Sequence, residues 1–266
     1  FSSLKRTFIG GSACPPAMIE AFRQDYGVDV LHAWGMTEMS PIGSLGVATG
    51  ETTQLSSEDW WTVKLKQGRP PFMVDMKITD DEGRDLPHDG TTFGRLKVKG
   101  PAIARSYFKG EGASAFDAEG WFDTGDLGQL LADGTLVLTG RAKDTIVLSS
   151  GENIEPGPLE ECLVACTLVE QVMLVGQDRK ALGALVVPKA EALASWAREE
   201  GLPQPQDGAA APALLKALTG RLNRRLQARP GARPDERLAG VALVEPFTLD
   251  NGLLTQTLKQ RRDRIA

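Results

Sequence analysis

The chain has 266 residues, long enough for two ordinary domains, and its 41% hydrophobic and 24% charged content is that of a globular protein with ample core. A formal net charge of −5 excludes a general nucleic-acid binder, and no apolar run reaches the length needed to span a bilayer. Three cysteines, Cys14, Cys162 and Cys166, make no paired framework and point to a reducing, cytoplasmic setting.

The chain opens on Phe1-Ser2-Ser3 and enters at once what reads as the interior of an α/β domain, so the expectation is a fragment. Lys5 to Gly10 is a short buried strand, Gly10-Gly11-Ser12 a turn, and Pro15-Pro16 opens a helix that runs to about Tyr26. Gly27 stops it, and Val28 to Leu31 is a second strand of a parallel sheet whose other strands are expected upstream. His32 to Pro41 (HAWGMTEMSP) leaves the end of that strand, where open α/β sheets bind ligands. There Trp34 can stack on a flat base, Thr37 can donate to a phosphate, and Glu38 can hold a hard cation such as Mg²⁺. A turn with Thr37 as cap and Trp34 as core explains the same residues, and both readings stand on sequence alone.

From Gln67 the period changes to alternation. Val74, Met76 and Ile78 share one face, GRLKVKG (94–100) alternates again, and Asp133-Gly134 sits between two apolar runs as a hairpin turn. This predicts a small antiparallel β subdomain over 67–142, after the α/β remainder at 1–66. Within it, Asp126 in a Gly-flanked turn offers two oxygens to neighbouring hydroxyls, and Arg141, one hairpin later, offers donors to the same polyol.

A compact α+β unit is predicted over 143–266: a strand at DTIVL, a loop SSGENIEP, a helix from near Pro158, and paired strands over 169–176 and 181–188. An amphipathic helix, a Pro/Ala/Gln-rich linker (203–212) and a helix striped with Leu214, Leu218, Leu222 and Leu226 follow. A late strand at 238–247 leads into a polar, basic tail, NGLLTQTLKQRRDRIA, expected to be mobile. Cys162 and Cys166, one helical turn apart, read as buried small apolar residues rather than a metal pair.

Five ordered blocks carry a resemblance: GGSACPP, HAWGMTEMSP, WFDTGDLG, GRAKDTIVLSSGENIEP and LTQTLKQRR. Together they resemble the acyl-adenylate-forming enzymes, which include acyl-CoA synthetases, beetle luciferase and peptide-synthetase adenylation domains. The implied fold is α/β plus α+β: the truncated end of a large N-terminal α/β domain with a small antiparallel half-barrel, then a hinge and a compact, mobile α+β C-terminal domain. The resemblance implies that Gly11, Ser12 and Ala13 wall an adenine on which Trp34 stacks, that Thr37 touches the α-phosphate, and that Glu38 binds Mg²⁺. Asp126 and Arg141 would hold the ribose hydroxyls, Lys143 would be the hinge, Gly151 would line a pantetheine tunnel, and Lys259 would be the catalytic lysine.

The implied activity is ATP-dependent activation of a medium- to long-chain fatty acid through an acyl-adenylate, followed by transfer to the thiol of CoA. An acyl-carrier-protein phosphopantetheine is the alternative acceptor, and a non-catalytic remnant keeping the nucleotide clamp is the alternative class. The family's Ser/Thr/Gly-rich phosphate loop is absent from these residues, so this fragment alone is expected to be inactive. Each block also has a plainer reading. Asp126 can shape a turn, Arg141, Lys143 and Asp144 can be a solvated cluster, and Lys259 can be one cation of a tail that meets acidic lipid at a membrane surface. The arginines at 221, 224, 225, 229 and 233 are most simply a solvated helix face, with a dock for an acidic carrier protein or the CoA phosphates as the other possibility.

Overall fold

The chain was described from a computed structural model, over residues 2–11, 14–47, 54–204, 212–256 and 258–265. It divides into two compact units, Phe1–Ala142 and Lys143–Ala266. The class is mixed α/β followed by α+β, built on several open sheets.

In the first unit, β1 (Arg6–Ile9) lies parallel to β2 (Asp29–Gly35), joined by helix α1 (Pro16–Tyr26). Pro16 starts α1 where its missing N–H costs nothing, and Gly27 closes it in a left-handed cap at φ 63°. Strand β3 (Ile42–Leu45) then turns back antiparallel on β2. Helix α2 (Ser57–Lys64) follows, capped by the Ser56 hydroxyl, which accepts from the Asp59 amide. Lys64, buried at its end, donates to Asp29 at 2.5 Å and to the Val30 carbonyl at 2.9 Å, fastening α2 to β2.

Four antiparallel strands complete the unit in the order β4 (Asp75–Thr79), β5 (Phe93–Lys99), β6 (Phe122–Leu130), β7 (Leu136–Arg141). Their inward residues Ile78, Leu96, Val98, Phe122, Leu130 and Leu136 form one core with Trp34 of β2 and Met39 of the turn that follows it. Backbone bridges at Leu45–Arg69 and Gly68–Leu136 tie β3 to β7, so the two sheets of this unit are held to each other by main chain as well as by packing.

The second unit begins with a two-strand hairpin, β8 (Ile146–Val147) and β9 (Asn153–Ile154), and helix α3 (Pro156–Val164). Its sheet runs β10 (Val169–Val175), β11 (Leu182–Pro188), β12 (Leu238–Leu243), with β11 antiparallel to β10 and parallel to β12. One face packs α3, α4 (Ala190–Glu199) and α5 (Pro212–Gln227) onto Val172, Leu174, Ala184 and Val186. The leucine stripe 214/218/222/226 is fully within that core, each side chain contributing about 1.5–3 kcal/mol by burial. The alternate residues Met173, Leu185 and Val187 face a second cluster supplied by Phe247, Leu253, Leu254 and Ile265 from the C-terminal segment. The basic tail, expected from its polarity to be mobile, is therefore laid against the sheet, and α6 (Arg262–Ile265) ends it. Two of its polar residues, Gln260 and Arg262, donate to backbone carbonyls of the sheet. Of the linker expected at 203–212, residues 205–211 lie outside the described residues.

Gly68 shows how close the main-chain approach is. It sits at φ 78°, and a Cβ there would come within 2.1 Å of the Leu45 backbone carbonyl, whereas Gly134, at φ 80° in the β6–β7 turn, has nothing within 4 Å of its own. Gly134→Ala is expected to cost about 1 kcal/mol, for the left-handed conformation alone, and Gly68→Ala about 3 kcal/mol or more from strain plus collision. Urea unfolding followed by tryptophan fluorescence measures the difference; equal losses would contradict the close approach of β3 and the 67–69 segment.

Candidate active site

The sequence Asp123-Thr124-Gly125-Asp126 builds its own deformation of β6. Opposite β5, Arg95 pairs with Leu127 but Lys97 with Asp123, so β6 carries surplus residues at this point and bulges. Gly125 takes φ 72°, a left-handed conformation that glycine adopts without the strain a Cβ would bring. The bulge satisfies its own donors: the Asp123 carboxylate accepts from the Gly125 amide at 2.9 Å, Thr124 Oγ1 accepts from the Asp126 amide at 3.1 Å, and the Thr124 hydroxyl donates to the Leu96 carbonyl at 2.8 Å. On the other side the Gly125 carbonyl accepts from the Ala142 amide at 3.0 Å.

The result is a buried carboxylate with both oxygens held. Asp126 is 5% exposed. Its Oδ1 accepts from Arg141 Nε at 2.8 Å, across the β6–β7 ladder, and its Oδ2 accepts from Trp34 Nε1 at 2.8 Å, from the end of β2. Each oxygen retains capacity for a further donor. Trp34 does not offer an open face: the ring is 7% exposed in the core, and Gly43 lies so close that an added Cβ would fall 2.4 Å from Cζ3. The stacking surface anticipated there is replaced by a core ring whose indole edge orients Asp126.

Beside this pair lies an open cleft of about 430 Å³, bordered by Glu38, Arg95, Tyr107, Asp123, Gly125 and Arg141. Glu38 stands in a single helical turn, Thr37–Met39, whose place is set by the Ala104 amide donating to the Glu38 carbonyl at 2.8 Å. Its side chain accepts from the Tyr107 hydroxyl at 2.7 Å. That hydrogen bond, with burial behind it, pushes the Tyr107 phenol up to about 12, so the ring donates throughout the physiological range. Arg95 Nε donates to Asp123 at 2.8 Å on the same wall. Thr37 is exposed at the first position of its turn and Gly11 is exposed after β1, while Ser12 and Ala13 lie outside the described residues.

The remaining sequence candidates belong to the second unit. Lys143, its first residue, is exposed. Gly151 occupies the β8–β9 turn at φ 95°, its amide donating to the Leu148 carbonyl at 2.8 Å. Lys259 is exposed at the closing end of a short loop, where the Thr255 amide donates to the Lys259 carbonyl at 2.8 Å. The arginine-rich surface is largely spent within the unit: Arg221 lies over the Trp196 ring, Arg225 donates to the Cys162 carbonyl, Arg229 pairs with Glu236, and Arg233 pairs with Asp235 and Glu236. Cys14 and Cys166 are buried and all three thiols are free; among the described residues no cluster of His, Cys, Asp and Glu is arranged to cage a metal.

Known proteins can now be set beside this geometry. Residues 1–108 match the AMP-binding enzyme family, and residues 143–204 match the AMP-binding enzyme C-terminal domain. The chain belongs to the AMP-binding enzyme family. A 3-methylmercaptopropionyl-CoA ligase of Ruegeria lacuscaerulensis is 45% identical over 174 residues, covering 65% of this chain and 32% of that protein. A medium-chain-fatty-acid–CoA ligase of Ectopseudomonas oleovorans is 42% identical over 163 residues, covering 61% of this chain and 30% of that protein. The fold is shared with O-succinylbenzoate coenzyme A synthetase of Bacillus subtilis in complex with AMP, at a TM-score of 0.71 and 24% identity, covering 98% of this chain and 45% of that one. The chain spans about a third of the length of the curated relatives it matches.

Three residues of the site had no individual sequence signal. Asp123 and Thr124, which make the bulge, were legible only as company for Asp126, and Tyr107, in a stretch without period, meets Glu38 only through the tertiary fold. The Tyr107–Glu38 bond has a direct readout, because the chain holds only two tyrosines, Tyr26 and Tyr107. In a Tyr26→Phe background, ultraviolet titration is expected to show the remaining phenol ionising near pH 12, and adding Glu38→Ala should bring it down toward about 10. An unchanged midpoint after loss of Glu38 would contradict the hydrogen bond.

Proposed function

We propose that the full-length protein activates a carboxylic acid with ATP, forming an acyl-adenylate and releasing pyrophosphate, and then transfers the acyl group to the thiol of CoA. The observation that carries this reading is the Asp126 carboxylate, buried between Arg141 and Trp34, with Gly125 and Arg141 beside it bordering the Glu38 cleft. A carboxylate with two held oxygens and spare acceptor capacity fits the two vicinal hydroxyls of a ribose, and Arg141 fixes its orientation. Family membership adds the nucleotide, and the two ligases above favour an acyl acceptor in CoA. Their names differ in the acid, and within that range we assign a medium- to long-chain fatty acid to this chain. Free thiols at all three cysteines suit the cytoplasm, where we place it.

In the first step an acid oxygen attacks the α-phosphorus and the bond to pyrophosphate breaks. Both partners are anionic, so the barrier is largely electrostatic. We assign Lys259 to neutralise the meeting charges, with the Thr37 hydroxyl as a donor to the α-phosphate. The Glu38 carboxylate would hold a Mg²⁺ ion, which when bound would neutralise phosphate charge, and the Tyr107 hydroxyl fixes the Glu38 rotamer. In the second step a thiolate attacks the acyl carbonyl and AMP leaves. That step asks for no cation at the α-phosphate, which accounts for placing Lys259 in a separate unit that pivots at Lys143 and presents Gly151 to the pantetheine arm.

Lys259→Ala in the full-length protein is expected to slow adenylation by roughly 10²–10³ while leaving thioester formation from supplied acyl-adenylate intact. Parallel loss of both half-reactions would contradict the role given to Lys259. Pyrophosphate release across straight-chain acids of graded length tests the substrate class. Release should rise from acetate into the fatty acids, and a maximum at acetate or at amino acids would overturn the assignment.

A further inference from the structure

The loop that carries Lys259 is fastened to the edge of a sheet by side chains that the account above leaves without a role. Strand β10 has β11 on one side only, so the carbonyls of Val172 and Leu174 and the Leu174 amide face out along an open edge. Among the described residues no strand covers them. Instead Gln260 Nε2 donates to the Val172 carbonyl at 3.0 Å, Arg262 Nη1 donates to the Leu174 carbonyl at 3.1 Å, and the Leu174 amide donates to Glu160 Oε1 at 2.7 Å. Arg262 Nη2 closes the square by donating to that same Glu160 oxygen. The pair is well removed from water, with side-chain exposures of 20% for Arg262 and 15% for Glu160. Glu160 itself rides on α3, whose Leu159 and Leu163 are locked in the core.

Lys259 is the residue before Gln260 and three before Arg262. Its own main chain is bonded at both ends: the Thr255 amide donates to the Lys259 carbonyl at 2.8 Å, and the Lys259 amide donates to Thr255 Oγ1 at 3.1 Å. Behind the loop, Ile265 packs into the cluster with Met173 and Phe247. A lysine head moves on a four-carbon stem, so what the protein can hold still is the root of that stem. Holding it costs the burial of one carboxylate and one guanidinium, and that same pair answers the Leu174 amide and carbonyl, so the fastening of the loop and the satisfaction of the strand edge are one arrangement.

We propose that Glu160 and Arg262 are positioning residues for adenylation: they clamp the Lys259 loop to β10 so that the ammonium is delivered to one place. The proposal rests on the reading of Lys259 given above and adds to it the device that sets its position. A displacement of the order of 1 Å is enough to cost such a group roughly ten- to a hundredfold in rate.

Glu160→Gln, Arg262→Met and the double variant, in the full-length protein, test it alongside Lys259→Ala. Each single variant is expected to slow adenylation roughly ten- to a hundredfold, with thioester formation from supplied acyl-adenylate within about twofold of wild type. The double variant should be no slower than the worse single one, as for two halves of one clamp. Hydrogen exchange gives a readout independent of activity: the amides of Thr255, Leu258 and Lys259 should exchange faster in each variant, while those of α5 stay protected. Where Glu160→Gln fails to fold, Arg262→Lys, which keeps the charge and loses the fork, carries the test and should show a partial form of the same selective loss. Folded variants that adenylate at the wild-type rate, or that lose both half-reactions together, overturn the proposal. An adenylation rate untouched by Lys259→Ala would instead bring down the reading of Lys259, and exchange rates would still report separately on the clamp.

Discussion

A charge removed from water must be answered within the protein, and Asp126 is where the first unit meets that demand. Its two donors come from opposite ends of the unit's sequence, Trp34 from the end of a parallel strand and Arg141 from the last strand of the antiparallel sheet. Neither donor is useful unless β2 and β7 are placed correctly, so the buried carboxylate makes the relative position of the two sheets a condition for its own stability. Truncating either donor would leave a buried anion short of a partner, which costs far more than an ordinary surface pair contributes. The bulge in β6 is the local means to this end.

The second unit repeats this logic with Glu160. There too a buried carboxylate gathers an arginine and a backbone amide, and there too a segment that carries an exposed candidate group is held by it. The parallel separates two tasks. The reading proposed above gives Asp126 to a ligand's hydroxyls and Glu160 to the geometry of a loop, although both carboxylates are largely removed from water. The apolar cores beneath them differ accordingly: alternating strand residues seat Asp126, while a helix with Leu159 and Leu163 on its inner side seats Glu160.

Much of this was legible in the amino-acid order, because the signals were local. The Asp133-Gly134 turn, the alternation of β4 and β5, the Pro16 start and Gly27 stop of α1, and the leucine stripe of α5 each follow from periodicity or from one residue's backbone preference. Short elements were not legible. Strand β3 has four residues and no alternation, and α2 places two adjacent tryptophans where a helix period would separate them. The tail misled for a different reason: Gln260 and Arg262 look like solvent residues by composition, but an open strand edge offers carbonyls that long polar side chains can reach. Trp34 was marked from the sequence as a stacking ring, yet only the fold shows that the ring is buried and its N–H is spent on Asp126.

The central claim is that Asp126, held by Arg141 and Trp34, is built to grip a sugar diol. Isothermal calorimetry of the full-length protein with AMP and with 2′,3′-dideoxy-AMP tests it most directly. Hydrogen bonds to a charged acceptor predict at least about tenfold tighter binding of AMP, with the preference abolished in Asp126→Asn. Equal affinity for the two nucleotides, or a preference that survives loss of the carboxylate, would contradict the account.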